Sequence, residues 1–254
     1  MPKLVAAVSF FIASYLAAFL IASFITRQTY WSMLTAAIVA TTVTNFAIDR
    51  GTWRIGFFVA PQFALRDLLL GACFAMICIG AGDALIVAAS KLHHIRGDGF
   101  PWRELFVVYA PAALHEELVF RGYLFQKIRA WNRPMAIAVT SLAFAALHTL
   151  NNGITIIALG NLIIAGVLLA LAYEVFERLW LPIGIHFAWN VVSGPILGFD
   201  VSGYESHSTL LRVAGNGPSW LTGGLFGIEG SIFMTAVELG GVAALLWSGK
   251  RRTV

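Results

Sequence analysis

Long apolar runs, separated by short connections that carry most of the charges, constrain the fold of this chain more than any other feature. The first run extends from Val5 to Ile25, and a helix needs about 20 residues to cross a bilayer. It is too long for the apolar part of a cleaved signal peptide, so it predicts a retained helix. Because 59% of the residues are hydrophobic and only 12% are charged, the sequence predicts an integral membrane protein.

Apolar windows bounded by charges or turn residues predict an all-α fold, a polytopic bundle of about eight transmembrane helices. The predicted helices occupy residues 5–25, 31–48, 68–90, 104–127, 134–150, 154–175, 181–198 and 230–248. We interpret residues 1–254 as a single transmembrane domain. The longest connection, about 199–229, is rich in Gly and Ser and favours a flexible loop over a lid.

Lysine and arginine are distributed unevenly between the two ends of the predicted bundle. One side holds eleven of them: Lys3, Arg50, Arg54, Arg66, Lys127, Arg129, Arg133, Arg178, Lys250, Arg251 and Arg252. The other side holds five: Arg27, Lys91, Arg96, Arg103 and Arg212. Since the basic side of a membrane protein faces the cytoplasm, both termini are predicted to be cytoplasmic. Topology thus explains the net charge of +4, and no nucleic-acid partner is implied.

The segment ALHEELVFRGYLF carries charges inside an apolar run. Such residues normally face a partner or a polar cavity, because a charge in lipid costs at least a few kcal/mol. Glu117 and Arg121 are four residues apart and can form an ion pair along one helix face. Glu116 points about 100° away and cannot easily share that arginine. It is therefore a candidate general base, and a hydrogen bond to a neighbouring helix is the alternative.

Two further apolar segments direct polar side chains to one helix face. In FAALH, Phe144 and His148 share a face, and in HFAWN, His186 and Asn190 do so. A single histidine in a membrane helix is commonly a hydrogen-bonded core residue. Two histidines, an asparagine and a spare glutamate together form a set that can activate water and stabilise an oxyanion.

These three motifs, in this order on three apolar segments, resemble the CAAX-protease and bacteriocin-processing family (CPBP, Abi-type), which includes the type II CAAX prenyl proteases. The resemblance covers about residues 104–200. It implies an eight-helix intramembrane endopeptidase acting on a membrane-associated or lipidated protein or peptide. The family's catalytic positions carry over onto Glu116, His148, His186 and Asn190, and its supporting charges onto Glu117 and Arg121. The compact chain favours a bacterial cytoplasmic membrane.

The expected mechanism uses no cofactor and no metal. Glu116, helped by His148, would activate a water, and His186 and Asn190 would donate hydrogen bonds to the oxyanion. Two histidines and one glutamate also form a familiar zinc set, so a zinc-dependent version of the hydrolysis stays open. Asn190 is a poor zinc ligand and no H-E-x-x-H motif is present, which favours the glutamate mechanism.

Two functions from other classes remain as alternatives. A proton-coupled transporter also uses intramembrane Glu and His residues, but repeated halves and paired broken helices are not evident in the sequence. A non-catalytic, immunity-type membrane protein would keep the ion pair and could lose Glu116 or His148, whereas this chain retains both. Both observations favour the protease.

Helix geometry raises one question about this site. His148 lies about 21 Å along its helix from Pro134, whereas His186 lies about 8 Å along its own helix from Leu181. Parallel helices that begin at the same depth would hold the two histidines apart. The sequence therefore leaves open at which membrane face the site opens.

Overall fold

A computed structural model describes residues 2–51 and 60–250 of the chain, so the basic residues Arg54, Arg251 and Arg252 lie outside the described part. A helix coincides with every predicted apolar window. The long helices are α1 (Pro2–Thr26), α2 (Thr29–Ala47), α3 (Ala64–Ala89), α4 (102–129), α5 (Arg133–Leu147), α6 (Ile156–Phe176), α7 (Trp180–Val191) and α8 (Ile232–Lys250).

The outer surface of the bundle is apolar, whereas charged side chains lie inside it. Phe24 on α1 is 87% exposed and Ile77 on α3 is 72% exposed, but Glu117 and Arg121 are completely buried. Within the described residues, the helical segments Pro2–Thr26, Pro61–Ala89 and Ile156–Phe176 are long and apolar enough to cross a membrane. An apolar perimeter around a polar interior is typical of a protein whose outside faces lipid.

Helix α4 contains two widened segments. Its turns are π-helical at Leu105–Tyr109 and at Leu118–Leu124, and the α-helical segment Ala110–Glu117 lies between them. Pro111 has no N–H to donate to the preceding turn, which is consistent with the loosened hydrogen bonding before it. Widened turns of this kind occur frequently at functional sites, and here they flank the segment that carries both glutamates.

Ion pairs define one end of the bundle, which we call the basic end. Here α2, α4, α6 and α8 finish and α1, α3, α5 and α7 begin. Lys127 at the end of α4 pairs with Asp49 just after α2. Arg129 Nε lies 2.6 Å from Glu174 Oε1 at the end of α6, and Arg178 Nη2, just before α7, lies 2.8 Å from Asp67 Oδ2 in the first turn of α3. These pairs establish which helix ends share this face.

The opposite end, which we call the loop end, differs from a purely helical fold. Strand β1 (His93–Arg96) pairs antiparallel with β2 (Leu211–Ala214), so His93 lies opposite Ala214. The connection after α7 is also not the flexible loop that its composition favours. It carries β2 and short helical turns at Ser219–Thr222, Gly224–Phe226 and Ile228–Gly230. Pairing with a second loop and packing against the helices order this segment.

A close crossing of α3 and α7 positions the seventh helix. A Cβ at Gly71 would lie 2.5 Å from the Leu181 carbonyl oxygen, and a Cβ at Gly184 would lie 2.5 Å from the Leu68 carbonyl oxygen. The two backbones therefore touch where both residues lack a side chain, as small residues allow in membrane helix pairs. Because His186 is two residues beyond Gly184, this crossing also positions that histidine.

Replacing Gly184 by alanine is expected to separate α3 from α7 and to destabilise the protein by about 1–3 kcal/mol, since overpacking in a close-packed interior has costs of this size. Thermal unfolding in detergent measures the change. Gly80→Ala in α3 is the matched control, because no described atom lies within 4 Å of the position that its Cβ would take. Equal unfolding temperatures for the two variants would contradict the crossing.

Candidate active site

Glu117 and Arg121 form a completely buried ion pair inside the bundle. Arg121 Nη1 donates to Glu117 Oε1 at 3.0 Å, and its Nη2 donates to the Gly166 carbonyl oxygen in α6 at 3.1 Å. The guanidinium also lies 4.8 Å from the centre of the Phe144 ring, within the range of a cation–π contact. The ion pair expected from the i, i+4 spacing is present and joins α4 to α5 and α6.

Glu117 has a second partner that the spacing does not reveal. His186 Nδ1 lies 2.8 Å from the same Oε1 atom, and a carboxylate can only accept from it, so Nδ1 carries a hydrogen. This bond turns the other ring nitrogen, Nε2, away from Glu117. Nε2 then lies 3.9 Å from Oε2 of Glu116.

His148, at the end of α5, is the second histidine next to Glu116. It caps the C-terminus of α5, and its Nδ1 donates to the Phe144 carbonyl oxygen at 2.8 Å, because a carbonyl can only accept. Its Nε2 lies 4.0 Å from Glu116 Oε2. Phe144, the other residue of the FAALH motif, packs its ring 4.8 Å from the His148 ring. The motif thus holds the histidine by backbone and ring contacts.

Glu116 is a carboxylate without a fixed hydrogen bond. Its Oε2 atom is buried and has no hydrogen-bond partner among the described residues, although two imidazole Nε2 atoms lie about one ångström beyond hydrogen-bond distance. Buried polar atoms are normally paired, and an exception requires an explanation such as a catalytic role. The side chain is still 18% exposed, so another part of it reaches open space.

That space is a cavity of about 120 Å³ between α4, α6, α7 and the connection after α7. One water needs about 10–15 Å³ of such room, so several waters fit. Its wall includes all four residues predicted as catalytic: Glu116, His148, His186 and Asn190. Asn190 is buried and follows His186 by one helical turn, so both can reach a group bound in the cavity. Most of the remaining wall is apolar, for example Leu162 and Leu169.

Glu229 is a cavity residue that the sequence analysis missed. Its carboxylate accepts hydrogen bonds from Trp189 Nε1 at 3.1 Å and from the Ser202 backbone N and Oγ at 2.8 and 2.7 Å. It thereby ties the connection after α7 to the helix that carries His186. Its position in a Gly-rich loop concealed it. An acidic residue surrounded by Gly and apolar residues, as in LFGIEGS, was the available signal.

Other polar residues of the apolar segments have partners outside the catalytic group. His115 Nε2 lies 2.7 Å from the Tyr15 hydroxyl of α1, and His94 Nε2 on β1 lies 2.8 Å from Asp83 Oδ1 in α3. These contacts join helices or loops. The two neighbouring residues His115 and Glu116 therefore face different parts of the bundle.

The arrangement of these donors can be compared with a zinc site. Ligand atoms about 2.0–2.1 Å from a tetrahedral zinc are about 3.4 Å apart, whereas Glu116 Oε2 lies 3.9 and 4.0 Å from the two Nε2 atoms. In the part of the chain that the structure describes, no three His, Cys, Asp or Glu side chains form a group that could hold a metal ion. These two distances are thus about 0.5 Å longer than those between the ligands of a bound zinc.

A glutamate, two histidines and an asparagine thus line one cavity, with room for several waters, inside an apolar helical bundle. Residues 98–192 match the family model of the type II CAAX prenyl endopeptidases, described as Rce1-like. The matched region runs from just before α4 to the end of α7 and contains all seven residues of the three motifs. The family resemblance indicated by the motifs is thereby confirmed over this region, and the family is one of membrane-embedded proteases. No curated protein and no solved structure matches the chain.

Proposed function

We propose that this protein is an intramembrane endopeptidase that hydrolyses a peptide bond of a membrane-associated or lipidated protein or peptide, with a water activated by Glu116. One observation carries the proposal. Glu116 presents a carboxylate with no hydrogen-bond partner among the described residues to a cavity with room for water, and two imidazole Nε2 atoms lie within 4.0 Å of it. A general base needs a free lone pair and access to water.

In the first step Glu116 takes a proton from a water in the cavity while the water oxygen attacks the peptide carbonyl carbon. His148 stands beside the carboxylate and helps to hold that water. The distances of 3.9 and 4.0 Å belong to the protein without substrate, and catalytic hydrogen bonds often tighten only in the complex. The proton on Glu116 then passes to the leaving amine, which leaves the carboxylate ready for another turnover.

The tetrahedral intermediate carries a negative oxygen that needs donors. We assign these to the Asn190 side-chain amide and to Nε2 of His186. Because His186 Nδ1 already donates to Glu117, Nε2 donates only when the imidazole is doubly protonated. The carboxylate of Glu117 at 2.8 Å favours that charged form. Each donor of this kind contributes about 3–4 kcal/mol in other hydrolases.

The same proposal includes the topology. All eight long helices would belong to a polytopic bundle in a bacterial cytoplasmic membrane, with both termini in the cytoplasm. Helix α5, with 15 residues, is about 22 Å long and is too short to cross a hydrocarbon core of about 30 Å. The residues that follow it lie against the cavity, where irregular backbone is tolerated because protein and water satisfy it.

A comparison of membrane proteomes tests the proposed function. Cells that produce the wild-type protein and cells that produce Glu116→Gln are compared, and a precursor is expected to accumulate only with the variant. Glu238→Gln is the matched control, since Glu238 is a buried glutamate of α8 that does not line the cavity. An unchanged proteome with Glu116→Gln would contradict the protease and favour a transporter or a non-catalytic protein.

Treatment with a chelator separates the glutamate mechanism from its zinc-dependent alternative. We expect the purified protein to keep its activity, within about twofold, after incubation with EDTA or 1,10-phenanthroline, because the proposed steps need only protein groups. Metal analysis of the same sample accompanies the assay. One equivalent of zinc per chain, together with activity that the chelator removes and zinc restores, would replace the glutamate mechanism.

A further inference from the structure

The catalytic cavity opens towards only one end of the bundle. Its wall includes Tyr30 in the first turn of α2, Val108 near the start of α4, Asn151 just after α5 and Tyr204 in the connection after α7. All four lie at the loop end of their elements. The cavity residues of α6 lie in the middle of that helix, and those of α7 extend from its middle at Ile185 to its last turn at Asn190. The residues that line the cavity therefore extend from the catalytic group to the loop end.

Towards the basic end, the bundle is closed. Glu117 and Arg121 follow Glu116 along α4 in the direction of the basic end, and Tyr123 and Phe125 come after them. All four side chains are completely buried. Phe125 packs against Tyr173 of α6, with 5.4 Å between the ring centres. An ion pair and a layer of aromatic rings thus separate the catalytic group from this end.

The two ends differ in their cationic residues. At the basic end, the described residues include eight: Lys3, Arg50, Arg66, Lys127, Arg129, Arg133, Arg178 and Lys250. At the loop end they include five: Arg27, Lys91, Arg96, Arg103 and Arg212. Ion pairs and the β1–β2 pairing assign most of these positions to their ends, so the comparison does not depend on a predicted number of crossings. An excess of Lys and Arg marks the cytoplasmic side.

We propose that the catalytic cavity opens to the extracytoplasmic face and accepts polypeptide segments that lie at that surface of the bilayer, not the cytosolic tails of lipidated proteins. The nature of the reaction rests on the proposed function, whereas the direction of opening rests on geometry and charge alone. Water and substrate then reach Glu116 between α2, α4 and the connection after α7, and the apolar wall takes apolar side chains at the cleaved bond.

The chemistry of the wall narrows the substrate further. Leu162, Ala165 and Leu169 of α6 and Ile185 of α7 surround the catalytic group with apolar surface. A segment with aliphatic residues next to the cleaved bond buries them against this surface, which is favourable because apolar area is removed from water. The segment where a membrane anchor ends at the extracytoplasmic surface has the correct location, and its last anchor residues are apolar. Such juxtamembrane segments of anchored proteins are the substrate class that we infer.

Cysteine labelling tests on which face of the membrane the cavity opens, and it does not depend on protease activity. The native Cys73 and Cys78 are replaced by alanine, and single cysteines are introduced as Glu205→Cys at the loop end, Val108→Cys in the cavity wall and Trp131→Cys at the basic end. A membrane-impermeant maleimide is added to intact bacterial spheroplasts. We expect Glu205→Cys and Val108→Cys to be labelled at once and Trp131→Cys only after permeabilisation. Labelling of Trp131→Cys alone before permeabilisation would overturn the proposal.

Mapping of new protein N-termini tests the substrate class. Termini present with the wild type and absent with Glu116→Gln are expected to follow aliphatic residues in extracytoplasmic juxtamembrane segments. Wild-type-specific termini in cytosolic segments would overturn the substrate assignment while leaving the protease proposal intact. If no such terminus exists, the protease proposal and its substrate class are both wrong, and the maleimide pattern still decides on which face the cavity opens.

Discussion

Replacing Glu116 by glutamine is expected to give a folded protein that cleaves its substrate about 10²–10⁴-fold more slowly, the usual contribution of a general base. Glutamine has the size and polarity of the glutamate but cannot accept a proton from water at neutral pH. The native Oε2 makes no hydrogen bond with any described residue, so little is lost from the fold. Initial rates of cleavage of the substrate identified in the proteome comparison measure the effect.

The control for this experiment must show that the fold is intact. The thermal unfolding temperature of Glu116→Gln in detergent should match that of the wild type within about 2 °C, because no paired group is removed. His148→Ala is expected to lower the rate as well, but by a smaller factor, since His148 assists the base and does not replace it. Comparable activity of Glu116→Gln and the wild type would end the glutamate-base proposal.

Replacing Glu117 by alanine is expected to reduce stability and activity together. Arg121 would keep its charge in the buried interior with only the Gly166 carbonyl as a described hydrogen-bond acceptor. The loss of one partner of a buried ion pair destabilises a protein by about 3–5 kcal/mol. His186 would also lose the acceptor of its Nδ1 hydrogen. Thermal unfolding in detergent and the yield of folded protein measure the loss of stability. The cleavage rate, measured on the same samples, gives the loss of activity.

A double variant separates the two effects of Glu117. In Glu117→Leu with Arg121→Met, neither charge remains, and replacing a buried ion pair by apolar residues is often neutral or stabilising. We expect this variant to regain most of the stability that Glu117→Ala loses, yet to stay inactive, because His186 has no carboxylate to orient it. Recovery of activity along with stability would show that Glu117 acts only through the fold.

The assignment of the two neighbouring carboxylates can also fail in a specific way. A stable but inactive Glu117→Ala, together with a Glu116→Gln that does not fold, would mean that the base and the structural acid are interchanged. The contacts argue against this outcome, because Glu117 has two close partners, at 2.8 and 3.0 Å, and Glu116 has contacts only at 3.9 and 4.0 Å.

The sequence determined those features that depend on residues close together in the chain. Apolar windows located most helices within a few residues, because membrane helices satisfy their backbone hydrogen bonds within one segment. The seventh window, 181–198, also covers the π-helical turn Val192–Ile196 that follows α7. The spacing of Glu117 and Arg121 predicted their ion pair, because residues four apart share a helix face. The three motifs also indicated a resemblance to the family, which the match confirms over residues 98–192.

The tertiary structure decided the features that depend on how separate segments meet. His148 lies 15 residues from the start of α5 and His186 six residues from the start of α7, so equal, parallel helices would keep them about 13 Å apart in depth. Both nevertheless lie within 4.0 Å of Glu116, which requires a relative tilt or offset of these helices. The sequence does not encode this offset locally, because packing such as the Gly71–Gly184 crossing sets it.

Packing between distant segments also explains why the sequence did not predict the structure of the loop end. The strands His93–Arg96 and Leu211–Ala214 are four residues each, too short for a periodic signal, and their partners are more than a hundred residues apart. The bond from His186 to Glu117, the contacts of Glu229 and the direction in which the cavity opens likewise join distant parts of the chain. Each follows from packing of whole helices and loops, so only the folded protein reveals it.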